Sequence, residues 1–279
     1  MALHAVARKE FRESLQSRTL VGLTAVFTLF AVGLAAVQWI PPIYRDSEVA
    51  TSTLALLNSL RQSTVFLVPL TGLLLGYATI VGERESGTLK LALGLPNTRL
   101  ELVLGKFLGK TAVMSVAILV SYAAAGLVAL ATYDAFAARA FLTYTPVALL
   151  LGAVYVAIAT AFSAAMESRS IALGGALALY SVFLLFWNVV LLGLQVVTIG
   201  PELPPGTRLP DWIQFVGLLN PSTAFTFAVR AVIPEYYEIT VFSESEAVFL
   251  QDWVGFVVLA AWVVVPLAVA TARFRRLDR

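Results

Sequence analysis

Cysteine is absent from the sequence, and histidine occurs only once, as His4. Without cysteine the chain can form no disulfide, no thiolate metal site and no cysteine nucleophile. Thioether ligands are also few, because the only methionines are Met1, Met114 and Met166. A soft metal such as copper needs thiolate, thioether or imidazole ligands. We therefore predict no metal site, and we find no set of catalytic residues.

Charged residues are scarce as well, at 13% of 279 residues, whereas soluble domains carry about 25%. Hydrophobic residues make up 59%, and the mean hydropathy is +0.86. A soluble globule cannot hide that much apolar surface, but a bilayer can. We predict an all-α membrane protein with a single transmembrane domain over residues 1–279.

Six apolar runs approach or exceed the roughly 20 residues that a helix needs to cross the hydrocarbon layer. The predicted spans are residues 20–39, 64–81, 111–132, 146–166, 171–199 and 254–272. We interpret the first run as a retained span, since no clear cleavage site follows it. The fifth is longer than needed, so it is expected to tilt, kink or protrude. The runs hold no clear charge, which argues against a proton-coupled carrier.

Basic residues predict the orientation, because they concentrate in cytoplasmic segments. With both termini in the cytoplasm, the inner segments hold 14 of the 19 basic residues: Arg8, Lys9, Arg12, Arg18, Arg84, Lys90, Arg99, Lys106, Lys110, Arg169, Arg273, Arg275, Arg276 and Arg279. A seventh apolar stretch, residues 213–233, contains Asn220 and Pro221 at its centre. Because proline breaks a helix, we predict two short helices that form an external or re-entrant hairpin before span six.

Two predicted elements lie on the cytoplasmic side. Residues 1–16 carry apolar side chains every four residues (Leu3, Ala7, Phe11 and Leu15), which predicts an interfacial helix. Between spans two and three, Gly87 is expected to end one helix, and Thr98 with Glu101 forms a capping-box pattern that starts another. Residues 88–95 would form a short helix, which either is gripped by a soluble partner or only orients span three.

The segment from Phe66 to Gly109 resembles the signature region of the ABC-2 type permeases, the membrane subunits of ATP-binding-cassette exporters. The matching residues are Gly82, Glu83, Arg84, Glu85, Ser86, Gly87, Thr88, Leu89, Pro96, Arg99, Leu104, Gly105 and Lys106. The run Leu219-Asn220-Pro221 also fits the family. Within it, the sequence is most similar to the branch that serves nitrous-oxide-reductase maturation, which is usually described as copper-related.

The resemblance implies a permease in the cytoplasmic membrane that moves an unknown substrate, driven by a separate ATPase subunit. ATP and Mg would bind that subunit, and this chain would bind no cofactor and no nucleic acid. Its own Gly109-Lys110-Thr111 lacks the upstream glycine of a phosphate-binding loop. The short helix would be the coupling helix, and a second permease subunit, identical or different, would complete the pathway.

The predicted ATPase-coupling residues are Glu83, Arg84, Glu85, Gly87, Thr88, Leu89, Lys90, Pro96, Glu167 and Arg169. Glu83, Arg84 and Glu85 would pair with the partner or with the N-terminal helix. Reversal of Glu83 and Glu85 to lysine is expected to uncouple ATP hydrolysis from transport.

Asn188 and Gln195 lie seven residues apart in span five, a spacing that favours one helix face. We predict that they face substrate or a second permease, whereas the other polar groups within the spans mostly join helices. Two glycine pairs, Gly72 with Gly76 and Gly105 with Gly109, predict close helix packing and give weak support for a dimer. Two alternatives remain: an intramembrane enzyme, which His4 alone hardly supports, and a non-transporting scaffold or assembly factor.

Overall fold

A computed structural model describes residues 2–37, 53–89, 98–133, 136–201, 209–239 and 246–276. Within these ranges the regular structure is helical, and no strand occurs. The α-helices are α1 (Ala2–Leu15), α2 (Arg18–Val37), α3 (Thr53–Gly76), α4 (Val81–Glu85), α5 (Arg99–Thr132), α6 (Ala138–Ala165), α7 (Arg169–Ser181), α8 (Trp187–Thr198), α9 (Asp211–Leu218), α10 (Pro221–Val232) and α11 (Val254–Arg276). A π-helical segment, Val182–Phe186, joins α7 to α8, and short 3-10 helices cover Pro234–Ile239 and Val248–Leu250.

Six of these helices or helix runs are long and apolar enough to cross a membrane, which confirms the predicted number. They are α2, α3 with α4, α5, α6, α7 with α8, and α11. Three of them begin earlier than the apolar runs do, at Thr53, Arg99 and Ala138. The reason is that a helix continues through polar turns beyond the apolar run, so hydropathy alone places its ends too far inward.

The start of α5 follows the predicted capping box. The Thr98 hydroxyl accepts from the Glu101 amide at 3.2 Å, and Glu101 Oε2 accepts from the Thr98 amide at 2.9 Å. Both bonds satisfy amides that the first helical turn leaves without partners. At the preceding helix end, Gly87 has a φ of +74°, the left-handed conformation that favours glycine.

Helix α6 is the centre of the bundle. In an apolar stretch of 18 residues of α6, 72% of the residues are buried, whereas in a stretch of the same length in α7 and α8 only 6% are buried. A Cβ built on Gly72 or Gly76 of α3 would lie 2.8 Å from Tyr155 Cβ or 2.4 Å from Ala159 Cβ of α6. The missing side chains therefore let α3 and α6 pack backbone to backbone.

The second glycine pair also packs within the chain. A Cβ on Gly105 would meet Val6 Cβ at 2.7 Å, and one on Gly109 would meet Ala7 O at 2.7 Å. Helix α1 thus lies against the first turns of α5. Both pairs serve contacts inside one chain, so they give no support for a dimer.

The stretch before span six consists of two helices, α9 and α10, bent by 100° at their junction. Asn220 caps α10, with its Oδ1 accepting from the Ser222 amide at 2.9 Å, and Pro221 occupies the first helical position. Proline is well suited there because its missing N–H would have no helical partner. The break at Asn220 and Pro221 is as predicted, and the name "hairpin" is used below for α9 and α10.

Candidate functional site

Four parts of the chain meet at one end of the bundle: α1, α4, the first turns of α5, and the junction of α6 and α7. This end is called the basic face here, after Lys106, Lys110, Arg84 and Arg169. The opposite end carries the hairpin.

Lys106 is the centre of the basic face. Its Nζ lies 2.6 Å from Glu10 Oε1 and 2.8 Å from Glu83 Oε1, and the residue is only 2% exposed. One turn further along α5, Lys110 Nζ lies 3.5 Å from Glu10 Oε2 and donates to Ser14 Oγ at 2.8 Å. One buried lysine therefore links α1 to the end of span two through α5. Burial of these charges is tolerated only because they are paired.

The glycines of α5 make this pairing possible. Gly105 and Gly109 lie on the side of α5 that contacts α1 and are each followed by a lysine, Lys106 or Lys110. The helices run side by side in the same direction, so Glu10 and Ser14 match Lys106 and Lys110 in register. A larger residue at either glycine would separate the helices and lengthen the ion pairs.

Arg84 binds the end of span four. Its Nη1 donates to Met166 O at 2.9 Å and its Nη2 to Ala164 O at 3.2 Å. These carbonyls lie at the C-terminal end of α6, where the last carbonyl groups of a helix have no N–H donors within the helix. Nearby, Ser163 Oγ accepts from the amides of Ile80 and Val81 at 3.0 and 3.1 Å. Spans two and four are thus joined at the basic face by hydrogen bonds between side chains of one span and backbone groups of the other.

Glu85 pairs with Arg169 at the start of α7. Glu85 Oε2 lies 3.3 Å from Arg169 Nε, and Glu85 Oε1 accepts from the Arg169 amide at 2.8 Å. A carboxylate at a helix N-terminus is favoured by the helix dipole. The Arg169 side chain also donates to Gly82 O at 2.7 Å. The two side chains are 38% and 52% exposed, so water weakens their attraction.

A cavity of about 360 Å³ opens among these groups. Its lining includes Lys9, Glu83, Lys106, Lys110, Thr88 and Arg169. Glu83 Oε2 is buried there without a hydrogen-bond partner in the described part of the chain. The basic face therefore combines ion pairs that fix helices with a water-accessible hollow that reaches them.

The family model of the ABC-2 family transporter proteins matches residues 4–279. The chain belongs to the ABC-2 family of transporter permeases. It is 35% identical over 278 residues to the probable ABC transporter permease protein NosY of Pseudomonas aeruginosa, with 97% of each chain covered. It is 33% identical over 280 residues to the protein of the same name from Stutzerimonas stutzeri, again with 97% of each chain covered.

In this ABC-2 permease the three residues Glu83, Arg84 and Glu85 point to three different neighbours. Glu83 pairs with Lys106, Arg84 binds the end of α6, and Glu85 pairs with Arg169. All three therefore have partners inside the chain, and Glu85 is partly exposed as well. Their part in ATPase coupling stays a prediction.

The other predicted coupling residues are spread over the same face. Ser86 and Thr88 share a hydrogen bond of 2.8 Å, Leu89 is buried, and Glu167 is exposed. Lys90 and Pro96 lie outside the described residues, as does most of the predicted coupling helix. The interfacial position of α1 is likewise still a prediction.

Sequence reasoning missed Glu10, Ser14, Lys106, Lys110 and Ser163 as parts of this site. The first two lie one turn apart in α1, opposite two lysines one turn apart in α5. The apolar stripe chosen from the sequence was Leu3, Ala7, Phe11 and Leu15, yet Leu15 is 37% exposed, whereas Glu10 is 5% exposed. The signal in the sequence was the spacing of four shared by Glu10 with Ser14 and by Lys106 with Lys110, beside the glycine pair Gly105 and Gly109.

Asn188 and Gln195 both lie on α8, as predicted. Asn188 is exposed and donates to Leu184 O of its own span at 3.3 Å, while Gln195 is half-buried. No residue of α8, which the structure describes in full, is buried. A role for these amides toward substrate or a second permease stays a prediction.

Several polar groups within the spans join helices. Thr28 and Ser121 share a hydrogen bond of 3.0 Å between α2 and α5, and Tyr155 reaches Ser222 of the hairpin at 3.2 Å. Tyr180 donates to Phe66 O at 3.2 Å. In an apolar environment such bonds hold helices in register. In the described ranges no three His, Cys, Asp or Glu residues lie close enough to hold a metal ion.

Proposed function

We propose that this chain is the membrane-spanning permease subunit of an ABC-2 exporter-like transporter. A separate ATPase subunit binds the basic face from the cytoplasm and hydrolyses ATP with Mg, and a second permease subunit completes the pathway. Membership of the ABC-2 family supports this, as do relatives named as probable ABC transporter permeases over nearly their whole length.

The orientation follows from charge. With the basic face in the cytoplasm, both termini are cytoplasmic, in accord with the concentration of lysine and arginine on that side. The hairpin then faces outward.

Cysteine labelling tests this orientation. Because the chain has no cysteine, an introduced one is the only reactive thiol. Ser86→Cys and Glu235→Cys, both at exposed positions, should react with a membrane-impermeant maleimide from the cytoplasmic and outer sides, respectively. The reverse pattern contradicts the orientation.

The observation that carries the proposal is the connection of residues 82–85 to both sides of the bundle. Glu83 reaches α5 and α1 through Lys106, while Arg84 and Glu85 reach α6 and α7. The segment that follows, residues 86–98, is the cytoplasmic connection between spans two and three. A push on this connection by an ATPase would be passed to these four helices, which is what a coupling element has to do.

Two permeases named NosY favour one branch of the family. We propose that this chain acts in that branch, which serves nitrous-oxide-reductase maturation, with a substrate that is still to be identified. Among the alternatives, a non-transporting assembly factor would bind the same partners but show no change of ATPase rate with any substrate.

The test is co-purification with the cognate ATPase and measurement of its ATP hydrolysis in nanodiscs. Glu85→Lys should weaken co-purification and lower the stimulated rate, because it breaks the pair with Arg169 and alters the charge of the exposed surface. The double variant Glu85→Lys with Arg169→Glu restores the internal pair in reversed order. Recovery in the double variant assigns Glu85 to the bundle, and continued loss assigns it to the partner contact.

Arg139→Glu is the matched control, since Arg139 is exposed near the opposite end of the bundle. It should leave both measurements unchanged. An unmodified chain that binds no ATPase subunit, or an ATPase rate that is the same with and without the chain, overturns the proposed function.

A further inference from the structure

Span five contains an irregular turn at its middle. The segment Val182–Phe186 is π-helical, with the Trp187 amide bonded to Val182 O five residues back. Such a turn accommodates one residue more than an α-helical turn does, and it recurs at functional positions. Within a membrane, irregular backbone persists only where protein groups satisfy it. The question is which group does so here.

Asn220 of the hairpin supplies that group. Its Nδ2 donates to Phe183 O inside the π segment at 2.7 Å, while its Oδ1 accepts from the Ser222 amide at 2.9 Å. The residue is only 4% exposed. One side chain therefore starts α10 and binds the irregular turn of span five. The donor and the acceptor halves of the same amide have separate roles.

Two indole groups bind the junction of α9 and α10, close to Asn220. Trp187 Nε1 of span five donates to Val216 O at 3.2 Å, and Trp262 Nε1 of span six donates to Leu219 O at 2.9 Å. Phe183 packs edge-on against Trp262, with ring centroids 5.4 Å apart. The carbonyls at the end of α9 are thus satisfied by neighbouring spans.

The outer half of span five, helix α8, contacts the hairpin along one side. None of the residues of α8, all of which are described, is buried. On the hairpin side, a Cβ built on Gly217 would lie 3.5 Å from Leu191 Cδ1, while Val190 is 52% exposed. Leu191 therefore faces the hairpin, and Val190 faces away.

We propose that Asn220 is a positioning residue that holds the π register of span five and so sets which side of α8 faces the hairpin. When the Asn220 amide no longer donates, the extra residue is released and the turn becomes α-helical. Helix α8 then rotates by about 100°, the angle per residue of an α-helix, and Val190 takes the place of Leu191. This inference goes beyond the proposed function and does not depend on it.

Cysteine cross-linking tests the register directly in a chain without native cysteine. Two pairs are compared in membranes: Leu191→Cys with Gly217→Cys, and Val190→Cys with Gly217→Cys. A short bifunctional methanethiosulfonate joins the thiols, and mass spectrometry of the peptides measures the yield. In the parent chain the 191–217 pair should dominate.

Asn220→Asp is the decisive variant when it is measured at alkaline pH, because an ionised aspartate still caps α10 but has no proton to donate to Phe183 O. The ratio of the 191–217 to the 190–217 cross-link should fall by about five-fold or more, which is the population change that corresponds to one lost hydrogen bond. Gln214→Leu is the matched control, since its amide donates to Leu209 O, outside the π segment, and it should leave the ratio unchanged. An unchanged ratio in Asn220→Asp, or an equal change in Gln214→Leu, overturns the inference.

A deletion covers the case in which Asn220 variants do not accumulate. Removal of Leu184 takes the extra residue out of the π segment, so the Asn220 donor is no longer needed. Deletion of Leu184 combined with Asn220→Ala should therefore restore accumulation in membranes and retain the 191–217 cross-link. Failure of the deletion to restore either one counts against the register role and leaves the proposed transport function untouched.

Discussion

The basic face and the junction of α9 and α10 join helices by different chemistry. At the basic face, full charges meet: Lys106 lies between Glu10 and Glu83. At the junction of α9 and α10, neutral donors from Asn220, Trp187 and Trp262 bind backbone carbonyls, and the ion pair of the hairpin, Arg230 with Asp252, involves the other end of α10. The basic face borders an open cavity, whereas the junction contacts the middle of a span. Charges are tolerated at the basic face because they are paired, whereas a charge in the middle of a span would be costly.

Among the variants that test this comparison, Lys106→Met should have the largest effect on stability. It leaves Glu10 and Glu83 without their main partner in a buried place, so the free energy of unfolding should fall by about 3–5 kcal/mol. Thermal denaturation of the purified chain measures the loss. Lys9→Met, at a side chain that is 57% exposed, should cost at most about 1 kcal/mol. Equal losses for the two variants would show that burial does not distinguish these lysines.

A smaller effect is expected from Gly109→Ala. The added methyl group would lie 2.5 Å from Glu10 Cβ and 2.7 Å from Ala7 O. Helix α1 must therefore shift away from α5, at about 1–3 kcal/mol of stability. Gly193→Ala in α8 is the control, because a Cβ there meets nothing within 4 Å. If the melting temperature falls as much in Gly193→Ala as in Gly109→Ala, the close approach of α1 to α5 is contradicted.

At the hairpin end, Trp262→Phe should cost about 1 kcal/mol. The change keeps an aromatic ring beside Phe183 but removes the donor to Leu219 O. Trp253→Phe, at a side chain that is 54% exposed, should have no measurable effect. The same denaturation assay compares the two, and an intact melting temperature in Trp262→Phe would mean that another group satisfies the carbonyl.

The smallest effect on stability belongs to Glu85→Gln. The pair with Arg169 is partly exposed, so its loss should change the free energy of unfolding by less than about 1 kcal/mol. If the proposed function holds, the ATPase rate of the complex should nevertheless fall. A large fall in rate with a small fall in stability separates a role in coupling from a role in folding. A change in stability without a change in rate would place Glu85 with the structural ion pairs.

Much of the fold could be predicted because its signals are local. The six spans follow from long apolar runs, the start of α5 from Thr98 and Glu101, and the hairpin break from Asn220 and Pro221. Each of these signals is carried by residues close together in sequence, whose backbone preferences act regardless of the rest of the chain.

What the sequence did not predict depends on distant partners. Glu10 is buried only because Lys106, almost a hundred residues away, lies opposite it across a glycine contact. The π segment in span five has no composition signal, and its partner Asn220 belongs to the hairpin. Proline alone does not predict a helix break: Pro221 begins a helix, whereas Pro69, Pro146 and Pro266 lie inside helices.

The uneven burial of the spans has a mechanical consequence. Span five is fastened to its neighbours by Arg169 at one end, by Tyr180 near the middle and by the hairpin beyond it. Span four, by contrast, is enclosed on most sides. Span five therefore owes its place in the bundle to a few polar bonds, whereas span four is held by close packing along most of its length.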